Sequence, residues 1–317
     1  MALFGVDLGG TTVKMGLFDD GGERLAKWEI PTRKENGGEQ ILPDIAASVK
    51  KTMEERGLRA EEIRGIGMGV PGAVIGESMI PQAVNLGWKN KDAGQELSAL
   101  TGLPVAVGND ANVAALGEAW QGGGKGFKNM LMVTLGTGVG GGIIVDGKLL
   151  TGAVGAGGEI GHLHLEDDET EPCGCGQYGC FEEYASATGA VRVAKRVLAA
   201  STEDSTLKGR EFTCKDLFDA AAAGDAVAKR ATEKYGEYLG KGLAICASVL
   251  NPEAIVLGGG VTKAGEVLFE LLLPSFKKCV FPGCAGVQWK LATLGNQAGI
   301  VGAAKLILDR TEHADPV

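Results

Sequence analysis

Two stretches of this chain read as the same device. Residues 8–21 (LGGTTVKMGLFDDG) and 135–147 (LGTGVGGGIIVDG) align Leu8 with Leu135 and Gly9 with Gly136. Each follows an apolar run, 2–8 in the first case and 130–135 in the second, and each returns as a second apolar run. The pattern is a strand, a glycine loop and an antiparallel strand, closing on an Asp-Gly turn. Its repetition predicts a chain whose two halves begin alike.

The segments between the copies sharpen this. Residues 24–30 complete a three-stranded meander, and 38–56 have the period of a helix with Ile41, Ile45, Val49 and Met53 on one face. A buried strand at 63–70 closes on Pro71-Gly72, a helix covers 92–101, and a short strand at 104–108 delivers Asn109 and Asp110 to the start of a helix at 111–121. In the second half, helices are expected at 184–200, 215–223 and 225–249. A strand at 254–257 runs into Gly258-Gly259-Gly260, followed by a helix at 263–277, a strand at 287–291 and a helix at 297–309. Residues 311–317 are polar and expected to fray. Strands alternating with helices predict an α/β architecture with ligands at the carboxyl ends of strands, and 317 residues suffice for two domains.

A net charge of −9 argues against a general binder of nucleic acid or anionic membrane. No apolar run has transmembrane length. Met1 leads directly into a strand with no basic leader, so a cytoplasmic location is expected. Seven cysteines, three of them clustered, favour a reducing compartment and metal binding over disulfides. Cys214, Cys246, Cys279 and Cys284 read as ordinary semi-buried thiols.

Three glycine loops could hold a nucleotide. In the first, Gly9, Gly10, Thr11 and Thr12 let backbone approach a phosphate, Lys14 adds a cation, and Asp7 can bind Mg²⁺ directly or through water. A plain hairpin with Asp7 as its cap is the alternative. The second, Gly136-Thr137-Gly138, lies in a formal G-x-G-x-x-G. A dinucleotide loop should open a helix, but a strand follows here, which favours a second phosphate hairpin. The third, Gly258-Gly259-Gly260, offers bare backbone to adenine or ribose. Together they favour a nucleotide clamped between two halves.

Residues 156–183 (AGGEIGHLHLEDDETEPCGCGQYGCFEE) gather three cysteines, two histidines and many carboxylates. Cys173, Cys175 and Cys180 have the spacing C-x-C-x4-C, and one histidine upstream completes four ligands for a tetrahedral zinc. His162 and His164 can both reach such an ion. A closed four-ligand set makes the metal structural rather than hydrolytic. The acidic run 166–171 reads as a solvated loop. Glu159 and Glu182 could form a glycosidase pair, but that reading explains neither the glycine loops nor the cysteines.

The motifs DLGGTTVKMGLFD, GNDANVAALGE (108–118), LGTGVGGGII, EIGH (159–162) and CGCGQYGCFEEYAS (173–186) together resemble the ROK family of bacterial sugar kinases and repressors. NLGW (85–88) is similar to the branch that phosphorylates glucose. The resemblance implies the actin-like ATPase (hexokinase) fold, two α/β domains flanking a cleft. The expected domains are 1–115 plus 297–317, carrying the phosphate loop and catalytic aspartate, and 116–296, carrying the zinc motif, sugar ligands, second phosphate loop and adenosine loop. It implies phosphorylation of glucose at the 6-hydroxyl by ATP with Mg²⁺, and Asp110 as the base that takes the hydroxyl proton. Asn85, Asn109, Asp110, Glu159, His162 and Glu182 are the implied sugar ligands. His162, Cys173, Cys175 and Cys180 are the implied ligands of a structural zinc. A homodimer is also implied. With the first loop so close to Met1, no room is left for the DNA-binding domain of the family's repressors. Phosphorylation of another hexose (N-acetylglucosamine, N-acetylmannosamine, mannose or fructose) stands as the alternative, and a non-catalytic sugar sensor as the reading from another class. For Asp110 the plain alternative is an N-cap of the helix that follows.

Overall fold

The computed structural model describes residues 1–76 and 78–312 of the chain. Contacts divide it into two compact units: Met1–Lys128, Gly142–Gly158 and the chain from Thr293 onward form one, and Asn129–Gly141 with Glu159–Ala292 the other.

The first unit opens with β1 (Ala2–Leu8), β2 (Thr12–Asp19) and β3 (Arg24–Pro31), an antiparallel meander in which Asp7 stands opposite Lys14. An irregular turn, α1 (Glu35–Gly38), precedes α2 (Ile41–Arg56). The helix expected from residue 38 therefore starts later: Asn36, Gly37 and Gly38 all have positive φ, which a continuing α-helix excludes. Ile41, Ile45 and Val49 are buried beneath it as the periodicity requires. Then come β4 (Ile63–Val70), β5 (Met79–Ala83), β6 (Trp88–Asp92), α3 (Ala93–Thr101), β7 (Val105–Asn109) and α4 (Asp110–Gln121). The β5–β6 hairpin was not expected. Its strands are short and β5 carries Pro81, both of which hide a strand signal.

The chain continues through β8 (Met130–Leu135), β9 (Val139–Val145) and β10 (Lys148–Leu149). Next are α5 (Glu182–Ala185), α6 (Ala187–Ala200), α7 (Cys214–Ala222), α8 (Ala226–Leu250), β11 (Ala254–Gly258), α9 (Glu266–Cys279), β12 (Gln288–Leu291) and α10 (Ala298–Glu312). β9 starts at Val139, earlier than the expected residue 142. The expectation of a frayed tail at 311–317 mostly lies outside the described residues; Thr311 still donates to the Ile307 carbonyl in the last turn of α10.

The repeated device has a structural counterpart. The first sheet has the order β3-β2-β1-β4-β7 and the second β10-β9-β8-β11-β12. In both, the strand before the glycine loop (β1, β8) pairs in parallel with the next long strand (β4, β11), which pairs in parallel with the last (β7, β12).

Within the first unit α10 lies against β1, β4 and α4. Glycine makes that approach possible. A Cβ on Gly67 would fall 1.7 Å from the carbonyl oxygen of Ala303, and one on Gly302 would fall 1.7 Å from that of Val113. α4 also carries a fully buried carboxylate. Glu118 accepts from the backbone N–H groups of Gly123 at 2.8 Å, Thr293 at 3.0 Å and Leu294 at 2.9 Å. It thereby ties the end of α4 to the point where the chain re-enters this unit. In the second unit, the long α8 packs on α9 through Gly236 and Gly240.

Candidate functional site

The site residues fall into two sets, one in each unit. In the first, the loop between β1 and β2 is closed by the Gly9 N–H donating to the Thr12 carbonyl at 3.1 Å. Thr32, at the end of β3, holds it from outside: its hydroxyl donates to the Gly9 carbonyl at 2.7 Å and its N–H to that of Thr11 at 2.9 Å. Sequence reasoning missed Thr32, whose role depends on the meander's register. A Cβ on Gly9 would meet the Thr12 oxygen at 2.9 Å, whereas one on Gly10 would meet open space. Gly9 serves the turn; Gly10 leaves backbone accessible. Lys14 stands across the strands from Asp7, its Nζ 3.3 Å from the carboxylate. The pair is half-buried, and Lys14 is occupied by Asp7 rather than projecting alone.

At the β7–α4 junction Asp110 Oδ1 accepts from the Ala111 N–H at 2.8 Å. Asn109 is the N-cap. Its Oδ1 accepts from the N–H groups of Ala111 at 3.0 Å and Asn112 at 3.1 Å, and its Nδ2 donates to the Gly72 carbonyl at 3.1 Å. Asp110 is the first helical residue and is exposed. Its carboxylate sits at the positive end of α4, where an anion is stabilised. Asn109 holds the Pro71-Gly72 turn, the helix start and the backbone of Asp110 in one arrangement. Asn85 is exposed in a 3₁₀ turn between β5 and β6, next to buried Leu86 and Trp88.

In the second unit the cysteine segment folds as a compact knuckle. Atoms of His162, Cys173, Cys175 and Cys180 all lie within 4.8 Å of one another. The sulfurs of Cys175 and Cys180 are 3.7 Å apart, and Cys173 Sγ is 3.7 Å from His162 Nδ1. Two thiolates at about 2.3 Å from one tetrahedral zinc stand about 3.8 Å apart, so the donor set fits that ion. Burial pushes the Cys173 and Cys180 thiols up, while the Gln177 N–H lowers that of Cys175. Such thiols become ligands when a cation displaces their protons. His164 belongs elsewhere: Nδ1 meets the Tyr178 carbonyl at 2.9 Å and Nε2 meets Asp167 at 2.8 Å.

Two carboxylates flank the knuckle. His162 Nε2 is 3.9 Å from Glu159, which is exposed. Glu182, the first residue of α5, lies 3.8 Å from His162 Nδ1, accepts from Cys173 Sγ at 3.1 Å, and accepts from the Val139 N–H at 3.3 Å. Gly138 makes room for it, since a Cβ there would fall 2.4 Å from Glu182 Oε2. The second glycine loop is therefore shaped by Glu182. Gly136 and Thr137 lie beside it, Gly136 accepting from the Ala187 N–H at 2.8 Å. At the third loop, Gly258 ends β11, Gly259 has φ +91° against Leu135, and Gly260 opens on free space.

The acidic run departs from expectation. Asp167, Asp168 and Glu171 are exposed, but the Glu169 side chain is only 2% exposed. It accepts from Tyr184 Oη at 2.5 Å and from Arg196 Nη2 at 2.9 and 3.0 Å, and forms an ion pair with Arg192, whose Nη2 lies 3.0 Å away. The loop is solvated along most of its length and pinned at Glu169. Nothing in EDDETE distinguishes the pinned glutamate, because its partners come from later helices.

The chain matches a family model described as the ROK family over residues 3–310. It is 44% identical over 309 residues to a glucokinase of Halalkalibacterium halodurans, spanning 96% of this chain and 94% of that protein. A ROK hexokinase from Thermus thermophilus matches with a TM-score of 0.84 at 35% identity, over 98% of this chain and 100% of that one. A ROK family glucokinase from Streptomyces griseus, solved in complex with glucose and AMPPNP, matches with a TM-score of 0.72 at 36% identity, over 96% and 99%.

Proposed function

The chain belongs to the ROK family, and from that premise we propose that it transfers the terminal phosphoryl group of ATP to the 6-hydroxyl of glucose, giving glucose 6-phosphate. Its fold is the two-domain α/β actin-like ATPase fold. The observation that supports the mechanism is the β7–α4 junction: Asn109 is the N-cap, and Asp110 is exposed at the helix start, its Oδ1 also accepting from the Ala111 N–H at 2.8 Å.

Asp110 accepts the proton of the 6-hydroxyl. An aspartate has an ordinary pKa of about 3.9 and is a weak base, but phosphoryl transfer asks little more of it than position and late proton acceptance. Glu159, Glu182 and His162 accept or donate hydrogen bonds to other sugar hydroxyls, with Asn109 and Asn85 adding to the set. Ionised carboxylates make strong bonds to hydroxyls, and an epimer would leave them unpaired. The residues assigned to the nucleotide are Gly9 to Thr12 with Lys14 in the first unit and, in the second, Gly136 to Gly138 and Gly258 to Gly260. Mg²⁺ bound with ATP neutralises phosphate charge, and Asp7 is the chain's candidate to hold it. His162, Cys173, Cys175 and Cys180 would hold zinc, which would supply rigidity, since four protein ligands leave no open position. His162 Nδ1 lies 3.7 Å from the Cys173 sulfur and its Nε2 3.9 Å from Glu159. The same reading expects a cytoplasmic homodimer.

The test is a coupled assay over glucose, mannose, fructose, N-acetylglucosamine and N-acetylmannosamine with ATP, ADP and polyphosphate as donors. Glucose with ATP should give the highest kcat/KM. No turnover of any hexose with any donor would overturn the enzyme reading.

A further inference from the structure

Glu169 is the member of the acidic run whose side chain turns inward, and its side-chain partners lie on α5 and α6. Tyr184 of α5 donates its hydroxyl to it. Arg192 and Arg196, one turn apart on α6, converge on its carboxylate. Arg192 also pairs with Glu183, the neighbour of Glu182, and with Glu171 at 2.8 Å. Both guanidinium groups lie 6.0 Å from the Tyr184 ring centre, and that ring stacks on Tyr238 of α8 with centroids 4.5 Å apart. The N–H groups of Thr170 and Glu171 cap the same carboxylate at 2.9 and 3.0 Å.

This clamp sits on the loop that joins His162 to Cys173. Its other end is α5, whose first residue, Glu182, contacts both the Cys173 sulfur and the Val139 N–H. We propose that Glu169 is a positioning residue: by fastening loop 163–172 to α5 and α6, it holds Glu182 in register with the His162–cysteine knuckle. A buried carboxylate shared by two guanidinium groups and a phenol has few alternative geometries. The inference rests on the sugar and zinc roles proposed above for these neighbours.

The experiment compares the wild-type enzyme with Glu169→Gln, which keeps the shape but removes the charge, and with Tyr184→Phe and the double variant. Thermal unfolding first establishes that each is folded. In Glu169→Gln the KM for glucose should rise about tenfold, the equivalent of about 1.4 kcal/mol. The kcat should stay within about twofold, and zinc should pass to a chromogenic chelator faster. The double variant should exceed the single ones by less than additivity, because the two residues share one network. Unchanged glucose KM and zinc release, or a loss of kcat as large as the rise in glucose KM, would overturn the proposal. A separate readout keeps it distinct from its premise. If wild-type protein holds no zinc or turns over no glucose, the premise fails, while limited proteolysis still decides the clamp: cleavage within 163–172 must increase in Glu169→Gln, and equal resistance refutes it.

Discussion

Asn109 and Asp110 are adjacent and chemically alike, yet the backbone gives them different work. Asn109 has extended φ and ψ and spends its carboxamide oxygen on two N–H groups. Asp110 enters the helix and leaves its carboxylate at the surface. Asp110→Asn should therefore lower kcat by about 10³-fold, within the range for general base catalysis. Glucose affinity, measured by intrinsic fluorescence titration, should stay within about tenfold. A variant with near-native kcat would remove Asp110 from the mechanism. Asn109→Ala loses a cap and should cost about 1 kcal/mol in urea unfolding, along with kcat, because the base it orients is no longer fixed. Both residues were legible in the sequence as a strand-to-helix junction. Which of the pair caps was not, because that depends on where the helix takes its first turn.

The acidic segment joined to α5 and α6 makes a prediction at the level of elements. Burial alone would push the Glu169 carboxyl up, but the Tyr184 hydroxyl, the Glu171 N–H, Arg196 and Arg192 outweigh it and hold it at about 2 against an ordinary 4.5. A carboxyl depressed in the folded state adds stability above its unfolded pKa and loses it as pH falls. Here that contribution, roughly 3 kcal/mol, is complete above about pH 4.5 and gone near pH 2. Acid unfolding followed by circular dichroism should be steeper in wild type than in Glu169→Gln across that window; superimposable curves would contradict it. The contact of α10 with β4 gives a second case. Gly67→Ala pushes a methyl into the Ala303 carbonyl, backbone against backbone, where no side chain can give way. It should destabilise by at least about 2 kcal/mol or prevent folding, whereas Gly57→Ala, at an open position with φ +63°, should cost less.

For the whole molecule, the decisive quantity is metal content. Purified protein should carry about one zinc per chain by plasma emission spectrometry. Chelation should lower the unfolding temperature and raise the KM for glucose, since His162 among the zinc ligands lies beside Glu159 and Glu182. Protein without zinc but with native glucose KM would refute the metal assignment.

The duplicated strand–loop–strand device, the α/β alternation, the four-ligand spacing and the family are legible in the chain alone, because each is a local pattern of glycine, apolar period or donor type. Short-range rules reach that far. It takes the folded chain to show that Thr32 holds the first loop, that Gly138 yields space to Glu182, that Glu118 ties the end of α4 to Thr293 and Leu294, and that the Glu169 side chain is buried. These are carboxylates, hydroxyls and glycines whose partners lie distant in the chain or on elements not yet formed. Their roles come from hydrogen bonds across folded elements, and a run such as EDDETE looks uniformly solvated until the guanidinium groups of a later helix arrive beside one of its members.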